Sequence, residues 1–360
     1  MRTAALWVGR MILRLGSTTF LLYALILYAV PYSPFLGIPL WFLGLWLATF
    51  CHEAGHALAA RACGWRVIVF AVGRLALRLP DRNIVWFGRS RRRTLGGWVL
   101  SVPARPAVAT PDRFAIIVAA GPVVCLLLGA AGLGLSRWPG LGGNRHDFGA
   151  ELIVCGFAVQ ALRSGLFSLL PSAQPEVTSD GQSLWRLYRG DESWPAARSL
   201  RWLHALLYYN IRLRDLPPWM VEAARGAAPD DAQPDYDIAG MDIGIVLDGA
   251  QVDVARARAM IDAYRARHGG SEWLDSVDAY CAAMFEADGA RARAILWTGT
   301  RSESLRPMVM AAEAAVAARE GDMATARSRL GAMRAAVKTA SPFRNATFGD
   351  IGRQIEAILT

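Results

Sequence analysis

The sequence predicts a mainly α-helical protein. We expect a polytopic membrane domain of about four spans with a small β-sheet at its cytoplasmic face, followed by an α-helical, repeat-like soluble domain. Of the 360 residues 54% are hydrophobic, and the mean hydropathy of +0.26 is high for a soluble protein. The long apolar runs all lie before about residue 172, and the remainder is polar and alanine-rich. We therefore predict a membrane-embedded domain at 1–190 and a helical domain at 195–360.

Four apolar runs are long enough, or nearly long enough, to cross a bilayer. The first follows three arginines, as in a signal peptide, but it is long for one and no small-residue cleavage site follows, so we predict an uncleaved span. The fourth is weaker because it contains Arg163. The predicted spans are residues 16–32, 36–60, 114–135 and 151–171.

Positive charge is concentrated in residues 1–113, which hold 14 arginines and three acidic residues, a net charge of +11 against +9 for the whole chain. Positive loops stay cytoplasmic, so the arginine-rich loop 61–113 predicts a cytoplasmic N-terminus and a cytoplasmic C-terminal domain. Arginines that flank apolar runs favour the lipid bilayer as partner, and the sequence offers no aromatic-basic module for nucleic acid. The expected location is a bacterial inner membrane.

The same basic loop contains short β-prone runs. They are broken by Gly, Pro and Asp-Arg-Asn, which is typical of a small sheet; an irregular loop is the alternative. The runs are WRVIVFAVGRLALRL at 65–79, NIVWFG at 83–88 and GWVLSV at 97–102.

Three segments of the C-terminal half align with a period near 34 residues. They are residues 252–261, 287–296 and 321–330, and an alanine precedes each end by four positions, at Ala257, Ala292 and Ala326. The pattern resembles the tetratricopeptide repeat, although the Trp and Tyr positions of that family are not well kept. An alanine-rich bundle without true repeats is the alternative. Such repeats form a concave surface, which implies a protein partner.

The stretch HEAGH at 52–56 places three chemically active side chains inside the second apolar run. His52 and His56 are four residues apart, so they share one helix face, where two imidazoles can bind one zinc ion. Glu53 follows the first histidine and can act as base towards water at the metal. Polar groups at membrane depth must be paired or functional, which disfavours a helix face without metal. A catalytic zinc site also needs a third protein ligand.

With HEAGH inside an apolar run, the sequence resembles the site-2 protease family of intramembrane zinc metalloproteases. AAGP at 119–122 is similar to the Ala-Gly-Pro of the span that packs beside the zinc-binding helix in that family. It implies close helix approach at Gly121 and a local break at Pro122. FSLLPSAQPEVTSDG at 167–181 is similar to the family's Asn-x-x-Pro followed by Asp-Gly. The resemblance covers residues 36–185.

The resemblance implies that Asp180 is the third zinc ligand. Ser168 and Pro171 stand where the family has its Asn and Pro, which contact substrate, so the Asn is replaced by serine here. The gap from Pro171 to Asp180 is longer than usual, which makes Glu176 a rival ligand. Alternatively, Asp180 only caps the helix that follows it.

The implied function is that of an intramembrane zinc metalloendopeptidase. It would cleave membrane-spanning protein substrates with zinc-activated water, as in regulated intramembrane proteolysis, with Glu53 as the catalytic base and Zn2+ as the cofactor. The alternative is a catalytically inactive membrane adaptor whose helical repeat domain binds partner proteins, although an adaptor needs no base at Glu53. A zinc transporter would require more histidines and carboxylates across several spans.

Overall fold

The computed structural model describes eleven stretches of the chain. They are residues 37–79, 82–86, 96–136, 148–172, 178–190, 196–208, 211–226, 236–248, 252–296, 306–340 and 345–359. The chain forms two compact units, Met1–Glu192 and Ser193–Thr360. The predicted span at 16–32 and the rival ligand Glu176 lie outside the described residues. The described part is mainly helical and contains one small sheet, as the sequence predicts.

Three long helices that pack on one another build the N-terminal unit: α1 (Gly37–Ala62), α2 (Pro111–Ser136) and α3 (Phe148–Leu169). They contain the second, third and fourth predicted apolar runs. Glycines lie at their contacts: a Cβ on Gly44 would be 3.2 Å from the carbonyl oxygen of Gly156. Small residues of this kind let helix backbones approach closely.

The surface of these helices is apolar. By length and composition, α2 is the one helix among the described residues that qualifies as a membrane span, and Val154–Leu169 is a shorter apolar helix. Large apolar side chains that are exposed among the described residues lie on all three helices. They include Phe42, Leu43, Trp46 and Phe50 on α1, Leu127, Leu133 and Leu135 on α2, and Leu166 on α3.

A four-stranded antiparallel sheet packs against α1, which confirms the small sheet predicted for this loop. Its strands are β1 (Trp65–Val72), β2 (Leu75–Arg78), β3 (Asn83–Trp86) and β4 (Gly97–Pro103), in the order β3-β2-β1-β4. β1 is the central buried strand, as its run of apolar residues indicates, and β4 is an edge strand. The chain then passes through a short 3-10 turn, Pro106–Val108, into α2. The start of β4 lies beside α1, where Gly97 approaches Glu53.

The C-terminal unit consists of helices. They are α5 (Ala196–Tyr208), α6 (Pro218–Arg225), α7 (Tyr236–Leu247), α8 (Val254–His268), α9 (Glu272–Phe285), α10 (Gly289–Ile295), α11 (Arg306–Arg319), α12 (Met323–Ala340) and α13 (Asn345–Leu359), with a 3-10 turn at Leu213–Asp215.

The period of about 34 residues corresponds to a recurring helix start. Asp253, Asp288 and Asp322 precede α8, α10 and α12, and each carboxylate accepts a hydrogen bond from the backbone N–H three residues later, at 2.9–3.0 Å. The alanine four residues after each aspartate is fully buried, at Ala257, Ala292 and Ala326. The three aligned segments therefore occupy equivalent positions in three successive helix pairs, α7–α8, α9–α10 and α11–α12.

A buried carboxylate joins two of these helix pairs. Asp278 on α9 is 1% exposed and lies 3.2 Å from the guanidinium of Arg265 on α8 and 3.4 Å from that of Arg291 on α10. A buried charge is tolerated only when it is paired in this way, so the two arginines hold the register between α8, α9 and α10.

Candidate metal centre

One helix turn of α1 places both histidines of HEAGH at the inner side of the N-terminal unit. His52 is 7% exposed and His56 is 9% exposed. Asp180, at the start of helix α4 (Asp180–Arg189), faces them: its Oδ2 lies 3.0 Å from His52 Nε2 and its Oδ1 lies 3.6 Å from His56 Nε2. Ligand atoms of the three residues all lie within 4.8 Å of one another. The structure thus brings together residues that are 128 positions apart in sequence.

These separations fit a tetrahedral metal ion. Zinc holds nitrogen and oxygen ligands at roughly 2.1 Å, so two of its ligands lie about 3.4 Å apart. The two separations that involve Asp180, 3.0 and 3.6 Å, lie on either side of this value, and the three ligand atoms lie within 4.8 Å of one another. Two imidazoles and a carboxylate form a donor set that zinc accepts, and three protein ligands leave a fourth position open. The donor types also suit other divalent metals of the first transition row.

The imidazole of His56 is oriented by the backbone of α2. Its Nδ1 donates a hydrogen bond of 2.7 Å to the carbonyl oxygen of Ile117, so the lone pair of Nε2 is left for a metal. Sequence reasoning missed this contact, because every residue carries a carbonyl group. His52 Nδ1 is buried without a hydrogen-bond partner in the described part of the chain.

Two glycines explain how α1 and α2 come so close at this site. A Cβ on Gly121 would overlap the Nε2 of His56, and a Cβ on Gly55 would lie 2.8 Å from the carbonyl oxygen of Ala120. The predicted close approach at Gly121 is confirmed. The local break predicted at Pro122 is wrong: α2 continues through this proline as a single helix, because packing on both sides supports the turn that lacks its N–H.

The start of α4 is capped by Ser179 and not by Asp180. The hydroxyl of Ser179 accepts a hydrogen bond of 3.2 Å from the backbone N–H of Gln182 and donates one of 2.8 Å to the carbonyl of Leu170. The alternative that Asp180 only caps its helix is therefore wrong, and its carboxylate is left to face the histidines.

Gly181 permits the approach of α4 to the end of α3. A Cβ on this glycine would overlap the carbonyl oxygen of Leu169. Because the backbones meet here, Asp180 is held at the depth of His52 and His56. The Asp-Gly pair thus combines a candidate ligand with the close contact that positions it.

The carboxyl group of Asp180 favours its ionised form. Burial alone would raise its pKa, but the interactions with His52 and His56 hold the pKa below its ordinary value. An ionised carboxylate is the form of this side chain that binds a cation.

Glu53, the predicted base, is buried at 6% exposure and lies beside the start of β4. A Cβ on Gly97 would be 2.5 Å from its Cγ and 2.7 Å from its Oε1. The strand therefore covers the carboxyl group so closely that only glycine fits. Sequence reasoning missed Gly97 as a site residue and placed it only as the first residue of the β-prone run 97–102.

The residues predicted to contact substrate lie on the same chain segment as Asp180. Ser168 donates a hydrogen bond of 3.0 Å to the carbonyl oxygen of Gly165, within its own helix. Pro171 is exposed. Their role in substrate binding stays a prediction.

Comparison of this chain with protein-family models, with curated proteins and with solved structures finds no match.

Proposed function

We propose that this protein is an intramembrane zinc metalloendopeptidase similar to the site-2 protease family. The observation that carries the proposal is the convergence of His52, His56 and Asp180, from two separate helices, at metal-binding distances beside the buried Glu53. Hydrolysis needs a buried base next to a metal centre with three protein ligands. A metal that serves only structure does not need such a base.

The expected setting is the lipid bilayer, with several spans. Support comes from the length of α2 and from the large apolar side chains on the outside of α1, α2 and α3. An apolar surface of this extent is costly in water and favourable in hydrocarbon. A substrate that reaches Glu53 in such a setting is a peptide segment that already lies in the membrane.

Each residue of the centre has a distinct task. His52, His56 and Asp180 hold the zinc ion, with the His56 imidazole kept in the correct tautomer by the Ile117 carbonyl. Zinc, when bound, supplies Lewis acidity that activates water and polarises the scissile carbonyl group. Glu53 accepts the proton of the attacking water and passes it to the leaving amine. The packing of β4 over Glu53 excludes bulk water from that carboxyl group.

The C-terminal unit is proposed to be a tetratricopeptide-like domain that recruits a protein partner or the substrate. The equivalent aspartate caps at 253, 288 and 322 and the buried alanines that follow them support repeated helix pairs.

Metal content and proteolysis test the proposal together. The full chain is purified in a mild detergent, and zinc is measured in the wild type, Glu53→Gln, Asp180→Ala and, as a matched control, the exposed carboxylate variant Asp112→Ala. In parallel, new protein termini are mapped in membranes of cells that produce each variant. We expect about one zinc per chain in all but Asp180→Ala, and new termini within membrane spans only in the wild type and Asp112→Ala.

Two outcomes would overturn the proposal. The metal centre fails if the wild type takes up no zinc after incubation with the metal. The protease assignment fails if Glu53→Gln yields the same termini as the wild type, and the adaptor would then be the better account.

A further inference from the structure

The C-terminal unit contains an apolar cavity that the proposed proteolysis does not use. Its volume is about 270 Å³, and all its lining residues belong to this unit. This is the volume of about nine water molecules, and it exceeds the roughly 150 Å³ that suffices to bind benzene. The cavity can therefore hold a small organic molecule.

Two glycines of α7 shape one wall of the cavity, because they let neighbouring side chains lie close to the helix backbone. Gly240 and Gly244 are four residues apart and thus lie on the same face, and both line the cavity. The ring of Trp273 lies against Gly240, 3.4 Å from where a Cβ would be, and a Cβ on Gly244 would be 2.5 Å from the side chain of Leu213. The concave wall is thus built into the helix sequence.

Two polar contacts hold the opposite wall in place. The hydroxyl of Tyr280 on α9 donates a hydrogen bond of 2.6 Å to Gln354 on α13, and Arg212 lies 2.5 Å from Asp350 on α13. Burial raises the pKa of Tyr280 above its ordinary value, which favours the neutral hydroxyl that donates this hydrogen bond. With α13 anchored at both points, the space between α7, α9 and α13 persists.

The charges around the cavity favour a cation. Among the described residues that line it, none is basic, and two are acidic, Asp248 and Asp350. Asp350 is neutralised by Arg212. The carboxylate of Asp248 accepts one backbone hydrogen bond, from Arg214 at 3.3 Å, and no ion pair with it occurs in the described part of the chain. One negative charge thus stands beside an apolar space.

Aromatic rings complete this environment. Trp273, Tyr280, Phe285 and Phe348 line the same cavity. Aromatic faces attract organic ammonium groups through their quadrupole, and a nearby carboxylate adds charge pairing. An inorganic cation would find too few oxygen ligands in such a lining.

We propose that this cavity is a binding site for a small organic cation, an ammonium group on an apolar or aromatic body, with the ammonium group at Asp248. The site lies in the C-terminal unit and does not depend on the metal centre. Failure of one proposal therefore leaves the other unaffected.

The test uses the full chain in lipid nanodiscs and isothermal titration calorimetry, with empty nanodiscs as the blank for partition into lipid. Three probes of similar shape and different charge are titrated: 2-phenylethylammonium, 2-phenylethanol and phenylacetate. We expect saturable binding of the cation, weaker binding of the alcohol and none of the anion. Asp248→Asn should lower the affinity for the cation at least about fivefold, which is the effect of one charge pair 4 Å apart in water.

Two further variants keep the test decisive. Asp262→Asn, an exposed carboxylate on α8, is the matched control and should bind as the wild type does. Val277→Phe fills the cavity and should abolish binding of the cation and the alcohol alike. The proposal is overturned if the cation shows no saturable binding, if all three probes bind equally, or if Asp248→Asn leaves the affinity unchanged.

Discussion

The two units of this protein expose different kinds of side chain on their surfaces. Among the described residues, every large apolar side chain that is exposed belongs to the N-terminal unit, apart from Met323. The C-terminal unit instead carries many arginine–carboxylate pairs, such as Arg225 with Asp242 and Arg329 with Glu313. The first surface suits hydrocarbon and the second suits water, which supports the proposal that only the first lies in the membrane.

The interiors differ as well. In the N-terminal unit, glycines bring backbones together, and three of the four buried polar residues among those described, His52, Glu53 and His56, lie on one turn of α1; the fourth is Gln160. In the C-terminal unit, alanines fill the core and a buried charge, Asp278, joins neighbouring helices. Under the proposed function, buried polar groups serve chemistry in the N-terminal unit and helix register in the C-terminal unit. Three substitutions test that contrast.

Gly121→Ala should have the largest effect. The new methyl group would overlap the Nε2 of His56, so we expect zinc affinity to fall by on the order of 100-fold or more. Gly134→Ala, in open space on the same helix, is the matched control and should keep its zinc. Zinc content by mass spectrometry and helicity by circular dichroism are the measurements. Full zinc retention in folded Gly121→Ala would show that His56 is not a ligand.

Gly97→Ala should separate metal binding from catalysis. The methyl group would displace the side chain of Glu53 and leave the ligands in place, so we expect zinc content to be unchanged and cleavage to fall on the order of 100-fold. The neighbouring Gly96→Ala has free space and should cleave as the wild type does. The measurement is the rate of cleavage of a substrate identified from the mapped termini. Equal rates for both variants would remove Glu53 from the mechanism.

Asp278→Ala should destabilise the C-terminal unit alone. The substitution leaves Arg265 and Arg291 without the buried carboxylate that they share. Because both arginines are about one-third exposed, water compensates part of this loss. We expect the free energy of unfolding to fall by about 2–3 kcal/mol. Hydrogen exchange of residues 252–296 measures this loss, and zinc content should not change. Asp262→Ala, which removes an exposed carboxylate 3.6 Å from Arg265, should cost less than about 1 kcal/mol. Equal costs would contradict the register role of Asp278.

Patterns that act over a few residues were predictable from the sequence. The apolar runs predicted α1, α2 and α3, the β-prone runs predicted the sheet, and the spacing of HEAGH predicted two histidines on one helix face. The period near 34 and the recurring alanines predicted repeated helical segments, because a small residue at a helix crossing is a local requirement; the aspartate caps that begin these helices were not predicted. The break expected at Pro122 was wrong because neighbouring helices decide whether a proline interrupts a helix.

The sequence by itself determined the kinds of element and the chemistry of the ligands, since helix and strand periods and donor types are properties of short stretches. Only the tertiary structure decided which atoms meet: Asp180 with the histidines, the Ile117 carbonyl with His56, β4 with Glu53, and the two glycines of α7 with Trp273. These contacts join distant segments through backbone atoms and glycines. Every residue has a backbone carbonyl and every glycine lacks a Cβ, so the sequence does not distinguish the ones that make these contacts. Their partners are defined only when the chain is folded.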